Sequence, residues 1–377
     1  MYNLHKLFRN TIGRECLINN LEIIDNDRKQ LAKARTTIRT HLRQGIERLT
    51  EQQLGTSSKV SPRFFTQGSW AYKTINDPEI NPPQEIDLDD GVYLPMSLFK
   101  DTRPSVACDV FFQIVDALLK KLVEKNDGWS LVQKHTCCRV KISEKSHVDL
   151  PLYAIPDVEF VRLTEAAAKH GYSSITEAAL HLDTSDWLKV ESDKVWLAKR
   201  GGEWEQSDPR LVSEWFKSQV AMYGEQYVHV CRYLKAWRDK HWVTGGPSSI
   251  LLMVCASNDF VKHYGRDDLS LLDAAENLIE QLRSDIRSPF TAISLNTLDA
   301  SERINASLKA QQLHHSISES INNAKNKSDA VMYVRNQFGT RVPNDTTLVE
   351  LCTHADVVKS YPKAVVPAPA IPKVKAG

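Results

Sequence analysis

The segment Gln84-Glu85-Ile86-Asp87-Leu88-Asp89-Asp90-Gly91-Val92-Tyr93-Leu94 restricts the fold more than any other stretch of this chain. Its alternating apolar residues predict a strand from Ile86 to Leu94. Alternation places Ile86, Leu88 and Asp90 on one face, and Asp87 and Asp89 on the other. Two neighbouring carboxylates repel unless something positive lies between them. The fold must therefore supply a sheet packed on one face and open to a charged partner on the other. A hard divalent cation meets that need: Mg²⁺ prefers carboxylate oxygens, retains waters and takes further ligands from substrate phosphates.

Asp149 offers a third carboxylate. It lies in Ser146-His147-Val148-Asp149-Leu150-Pro151-Leu152-Tyr153, a second β-like run that a neighbouring place in the sheet would bring beside the pair. Three carboxylates suit two cations about 3.5–4 Å apart, which activate an attacking hydroxyl and steady a leaving pyrophosphate. Upstream, Thr66-Gln67-Gly68-Ser69-Trp70-Ala71-Tyr72 reads as a Gly-Ser turn opening a helix. Its free N–H groups and the Ser69 hydroxyl suit a triphosphate. Singly, each sign has a plainer meaning, since Asp-x-Asp on a strand also serves solubility and most Gly-Ser turns are only turns. His147 is a lone histidine, more often a packing residue than a ligand, and the site is read without it.

The rest of the chain divides around this segment. Leu31, Ala34, Ile38, Leu42, Ile46 and Leu49 recur at helical spacing over residues 27–52, with Arg35, Arg39 and Arg43 one turn apart on another face. Those arginines read as a solvated face, with contact to nucleotide phosphates or a partner as the alternative. From Phe64 to Tyr153 the pattern is mixed, with a helix near 106–125 and strands near Arg139–Ile142 and Val148–Tyr153. Trp196 to Pro209, rich in Trp, Gly and charge, reads as a joint between lobes. Helical periods follow over 210–241, 248–263, 268–285, 299–324 and 326–337. Ser249, after Gly245-Gly246-Pro247, reads as a helix cap. The expected units are a catalytic lobe at 1–204, a helical lobe at 205–360 and an extended proline-bearing tail at 361–377. The fold class is α+β.

Composition excludes several classes. A net charge of +1 is far from the basic balance of a protein that lives on DNA or RNA, so no long nucleic acid is expected. No apolar run approaches the ~20 residues of a membrane helix, and the start of the chain carries no export pattern. The seven cysteines show no CxxC pair and fit reduced thiols. The protein reads as cytoplasmic.

Gly-Ser, then Asp-x-Asp on a strand, then a later strand aspartate together form the signature of the polymerase-beta-like nucleotidyltransferase superfamily. The chain resembles the bacterial cyclic GMP-AMP synthases of the cGAS/DncV-like nucleotidyltransferase (CD-NTase) family. The likeness runs through Pro62–Tyr72, Pro83–Gly91, His147–Pro156, Ser207-Asp208-Pro209, Cys231–Asp239 and Gly245–Ile250. It implies a mixed-sheet catalytic lobe braced by the long N-terminal helix, and a helical C-terminal lobe closing over the nucleotides. It also implies that Asp87, Asp89 and Asp149 are catalytic and hold two Mg²⁺ ions, with Mn²⁺ as a substitute. Gln67, Gly68, Ser69, Tyr72, Arg139, Ser207, Lys235 and Ser249 would line the nucleotide pocket; for Ser207 only the resemblance speaks.

The implied reaction joins ATP and GTP into 3′,3′-cyclic GMP-AMP with release of pyrophosphate, as a second messenger in antiphage defence. After Ser288-Pro289, relatives carry an aspartate-bearing stretch tied to base choice, whereas this chain reads Phe290-Thr291-Ala292-Ile293-Ser294-Leu295-Asn296. Guanine selection is therefore not implied at that stretch. The resemblance also extends to systems in which a ubiquitin-transfer-like partner conjugates the C-terminal glycine, here Gly377. Three alternatives stay open: a linear-product nucleotidyltransferase, a related synthase with other bases or a cyclic trinucleotide product, and a non-enzymatic nucleotide-binding module. Phosphatase-sensitive products would mark the first; the intact carboxylates and Gly-Ser turn weigh against the last.

Overall fold

The strand that carries Asp87 and Asp89 lies inside a mixed sheet in the computed structural model, which describes residues 1–13, 15–54, 60–99, 104–169, 190–291 and 293–362. Among these the strands are, in chain order, β1 (Tyr2–Asn3), β2 (Arg63–Gln67), β3 (Ile86–Pro95), β4 (Ser130–Gln133), β5 (Cys137–Lys141), β6 (Ser146–Ile155), β7 (Trp196–Lys199), β8 (Glu203–Gln206) and β9 (Glu350–Leu351). The main sheet runs β2-β3-β6-β5-β4, and β7 pairs with the far half of β6 and with β8. Only β3 and β6 are parallel within it. Parallel neighbours need a long crossover. The helix Pro104–Val123 with the β4–β5 hairpin forms that crossover.

One face of the sheet packs against two helices, Asp25–Leu54 and Pro104–Val123. Leu31, Ala34, Ile38, Leu42 and Ile46 interlock there with Ile86, Leu88, Phe111, Val115, Val148 and Leu150. Each fully buried aliphatic side chain contributes about 1.5–3 kcal/mol. The arginine face of the long helix differs from its sequence reading. Arg35 and Arg39 are buried rather than solvated: both donate to the Thr66 hydroxyl, and Arg39 forks onto Asp90. A guanidinium is kept inside only with such partners.

The second core gathers the helices Pro209–Tyr223, Glu225–His241, Ser249–Ser257, Asp267–Gln281, Ala300–Asn322 and Lys327–Phe338. Residues expected with the catalytic lobe belong to it as well. Leu4, Leu7, Phe8, Cys16, Leu17 and Leu21 are buried among these helices, and β1 pairs with β9, Tyr2 opposite Leu351. The grouping of 1–204 is thus divided by packing, because the first apolar residues of the chain complete the helical core.

Three further expectations are corrected. The stretch from Trp196 is not a free joint but the β7–β8 hairpin, which extends the sheet and turns through Gly201 and Gly202 at φ +98° and +88°. The helix expected over 210–241 is broken at Gly224, whose φ of 78° no helix accommodates. The helix expected over 248–263 stops at Ser257, and its cap is Ser248, whose hydroxyl accepts from Leu251 N at 3.2 Å. Ser249 is its first residue. The tail beyond 362, with Gly377, lies outside the described residues, as does Ala292.

Candidate active site

Strand register brings the charged residues together in two rows across the open face. Gln67 on β2, Asp89 on β3, Asp149 on β6 and Arg139 on β5 are successive pairing partners. One residue pair away along β3, Asp87 partners His147, which partners Lys141. The side-chain period of two keeps Asp87 with Asp89, His147 with Asp149, and Arg139 with Lys141 on the same face.

Contacts within the rows are close. Arg139 Nε and its terminal nitrogen donate to the two oxygens of Asp149, both at 2.7 Å. Glu85 takes Lys141 Nζ on one oxygen and His147 Nδ1 on the other, each at 2.6 Å. His147 Nε2 then stands 3.0 Å from Asp87 Oδ1. Apart from each other, neither of those two buried atoms has a hydrogen-bond partner among the described residues. One ligand atom each from Asp87, His147 and Asp149 can lie within 4.8 Å of one another. A carboxylate oxygen facing an imidazole nitrogen, a cluster of anions and a ring fixed by Glu85 fit a divalent cation, the carboxylate behind a histidine being the usual support of a metal ligand.

The electrostatics agree. Burial raises the carboxyl of Asp89 well above its ordinary range, and the charges of Asp87 and Asp149 raise it further. Burial disfavours the His147 imidazolium, yet Asp87 and Asp149 outweigh it and the ring titrates higher than usual. The charges of Asp87 and Asp149 act in both shifts, beside the burial that dominates at Asp89.

Gly68 makes the approach possible. It opens the single helical turn Gly68–Ala71 at φ +67°, and a Cβ there would stand 2.0 Å from Asp89 Oδ2. Gly91 serves farther along the same face, where a Cβ would meet the rings of Tyr93 and Tyr153 at 2.8 and 3.0 Å. Those rings stack at 4.7 Å and close that end of the site.

The rows form one wall of a cleft of about 1030 Å³ between the sheet and the helical core. Pockets that hold a single drug-sized ligand span roughly 300–1000 Å³. Gly68, Ser69, Tyr72, Asp87, Asp89 and Arg139 come from the sheet side; Lys235 and Ser249 come from the helices, and Ser207 from the segment between. Lys235 is buried, donates to the Thr74 carbonyl at 2.8 Å, and burial lowers its pKa to about 8. Tyr72 packs its ring 5.5 Å from Phe216, and burial raises its hydroxyl pKa. Gln67 is the exception among the pocket residues. Its amide turns inward and donates to Tyr153 Oη at 3.2 Å, so it supports the floor and is absent from the cleft's described lining.

Residues 62–153 match the family described as cyclic GMP-AMP synthase DncV-like, nucleotidyltransferase domain, and residues 224–351 match the cyclic GMP-AMP synthase C-terminal domain. A cyclic GMP-AMP synthase of Escherichia coli is 37% identical over 300 residues, covering 76% of this chain and 69% of the relative. Another, of Vibrio cholerae serotype O1, is 36% identical over 307 residues, or 77% and 70%. The chain belongs to the DncV-like cyclic GMP-AMP synthase family. Family membership makes it a nucleotidyltransferase, and the fold agrees. The crystal structure of Vibrio cholerae DncV with the linear intermediate 5′ pppA(3′,5′)pG superposes with a TM-score of 0.77 at 28% identity, over 93% of this chain and 99% of that one. A DncV mutant in complex with ATP, GTP and 5MTHFGLU2 does so with a TM-score of 0.77 at 29% identity, over 93% and 100%.

Two members of this DncV-like site are not readable from local pattern. Glu85 and His147 lie 62 positions apart and meet only through strand pairing. The signal that could have raised His147 was its place two residues before Asp149, which puts it on the same face.

Proposed function

We propose that this protein joins two nucleoside triphosphates, ATP and GTP, into 3′,3′-cyclic GMP-AMP with release of pyrophosphate. The observation that carries the reading is the register of Asp87 and Asp89 beside His147 and Asp149 at the wall of a two-lobed cleft. Relatives named cyclic GMP-AMP synthase, and structures of DncV with ATP, GTP and a linear intermediate, support it.

Asp87, Asp89 and Asp149 would hold two Mg²⁺ ions, with Mn²⁺ able to substitute. The chemistry supplied there would be that of a Lewis acid, easing deprotonation of the attacking 3′ hydroxyl and offsetting charge on the leaving pyrophosphate. The chain's own residues then position the nucleotides. Gly68 brings the Ser69 turn against Asp89, so phosphates seated there lie beside the carboxylates. Lys235 supplies a point charge from the opposite lobe, and Ser249, at the start of its helix, offers backbone N–H groups and a hydroxyl. Arg139 is placed to fork onto phosphate oxygens. Tyr72 and Ser207 bound the cleft, while Gln67 braces it through Tyr153. The sheet with its two covering helices would form the catalytic lobe, and the helical core the nucleotide-binding lobe.

A role as a second-messenger synthase in antiphage defence, acting in the cytoplasm, belongs to the same reading, as does conjugation of Gly377 by a ubiquitin-transfer-like partner. Among the described residues no helix is long and apolar enough to cross a membrane. The deciding experiment incubates the purified protein with each nucleoside triphosphate, singly and in pairs, with Mg²⁺, then adds phosphatase. A phosphatase-resistant product with the mass of cyclic GMP-AMP is expected from ATP plus GTP. Only phosphatase-sensitive products, or none, would overturn the reading.

A further inference from the structure

Among the three aspartates, Asp149 is the one whose two oxygens are both held by a guanidinium. Arg139 reaches them with two nitrogens at 2.7 Å each, and the two residues are register partners on adjoining strands. Backbone pairing and side-chain geometry therefore fix the same contact, a planar two-point pair of the stronger kind. The Asp149 side chain is 11% exposed and that of Arg139 21%. Arg139, and not Asp149, belongs to the described cleft wall. The guanidinium thus borders the cleft while its partner lies behind the lining residues. Lys141, the other cation on this strand face, is committed to Glu85 and touches none of the three aspartates.

We propose that Arg139 latches Asp149, and that this third carboxylate turns to a cation only when a nucleoside triphosphate draws the guanidinium onto its phosphate oxygens. The inference rests on the reading of the cleft as a nucleotide site and names how that site is switched on. The exchange replaces like with like. A phosphate presents the same pair of oxygens that a carboxylate does, and a triphosphate carries more charge. While the fork is in place, a divalent cation at Asp149 faces a fixed positive charge across a shared carboxylate. Substrate therefore completes the cation site, and divalent cations bind weakly to the free protein.

The test titrates Mn²⁺ into the nucleotide-free protein and reads free Mn²⁺ by electron paramagnetic resonance, with melting curves to verify folding. R139Q should tighten binding by roughly tenfold, the weight of one charge-assisted hydrogen bond. K141Q removes an equal charge from the same face without touching Asp149 and should change binding by much less. Adding D149N to R139Q should erase the gain, which assigns it to that carboxylate. Should R139Q fail to fold, R139K keeps the charge, loses the fork and should tighten binding by a smaller measurable factor. The latch is overturned if the Arg139 variants bind Mn²⁺ no tighter than the parent, or if K141Q gains as much as R139Q. Turnover of nucleoside triphosphates by the parent tests the nucleotide reading separately, so one can fail while the other stands.

Discussion

Arg39 forks onto Asp90 on the packed face of the very strand whose open face carries Asp87 and Asp89. The Nε–Oδ2 bond measures 2.6 Å, and the Thr66 hydroxyl on β2 accepts from Arg39 and donates to Asp90. The long N-terminal helix thereby grips β3 directly behind the Asp-x-Asp pair. Position 90 continues the charged run of the sequence, yet its carboxylate holds the strand in place instead of meeting substrate.

Breaking this grip should unfold rather than merely inactivate. R39M leaves the Asp90 carboxylate, which is 0% exposed, with no guanidinium. Stripping one partner from a buried ion pair costs about 3–5 kcal/mol. Urea denaturation should show that loss, and D90N in the R39M background should recover part of it. An R39M protein with the parent's midpoint would show that the pair does not brace the strand.

Gly68→Ala tests the approach of the turn to the carboxylates. The new Cβ would lie 2.0 Å from Asp89 Oδ2 at a φ of +67°, so the turn or the aspartate must move. The stability cost should exceed about 1 kcal/mol, since alanine at positive φ costs more than a compatible substitution gains. A displacement near 1 Å between positioning and reacting groups lowers rate by roughly 10²-fold. Steady-state kinetics beside thermal melts should therefore separate the two effects, with kcat falling far more than stability. Parent-like kcat would remove Gly68 from the site.

Lys235 predicts an alkaline limb. Burial places its pKa at about 8, so the ammonium is present below that pH and lost above it. The charged form is the one that attracts a triphosphate. kcat/KM, which reports groups of the free enzyme, should hold to pH 8 and then decline. Bound triphosphate stabilises the ammonium, so the limb in kcat should appear at higher pH. In Lys235→Met the limb should vanish along with most of the affinity; a limb unchanged in that variant would belong to another group.

How much of this was legible depended on range. Asp87 and Asp89 could be placed on one face from alternation alone, and the stripe of the long helix from its spacing, because both are periodic and local. The Gly201-Gly202 turn between Trp196 and Trp204 was also a local hairpin signal, although its residues read as a joint. The partners of Arg39 and His147 were not legible, since Asp90 and Glu85 lie 51 and 62 positions away and only the sheet brings them near. The same holds for Leu4 to Leu21, whose burial needs helices that follow some 200 residues later. Gly68 could be read as a turn residue, but its reason, an Asp89 oxygen where a Cβ would stand, appears only in three dimensions.

Asp89 ties stability, cation binding and turnover together. Burial, then Asp87 and Asp149, raise its pKa well above the ordinary 3.8. An acid raised on folding contributes stability that is fully present below its unfolded pKa and lost as pH rises through the folded one. Without divalent cations the parent should therefore lose stability as pH climbs through that window, and D89N, an isosteric neutral side chain, should not. A cation binding there must expel the Asp89 proton, so Mg²⁺ affinity should increase with pH over the same window, with proton release measurable by titration in buffers of different ionisation enthalpy. With a non-hydrolysable nucleoside triphosphate present, added Mg²⁺ should raise the melting temperature of the parent and leave D89N unmoved. Turnover of D89N should fall by about 10³-fold or more, the scale of removing one major electrostatic contact to the transition state. A variant that melts like the parent at every pH, still responds to Mg²⁺ and still makes product would show that Asp89 is a buried acid of the sheet and no part of the chemistry.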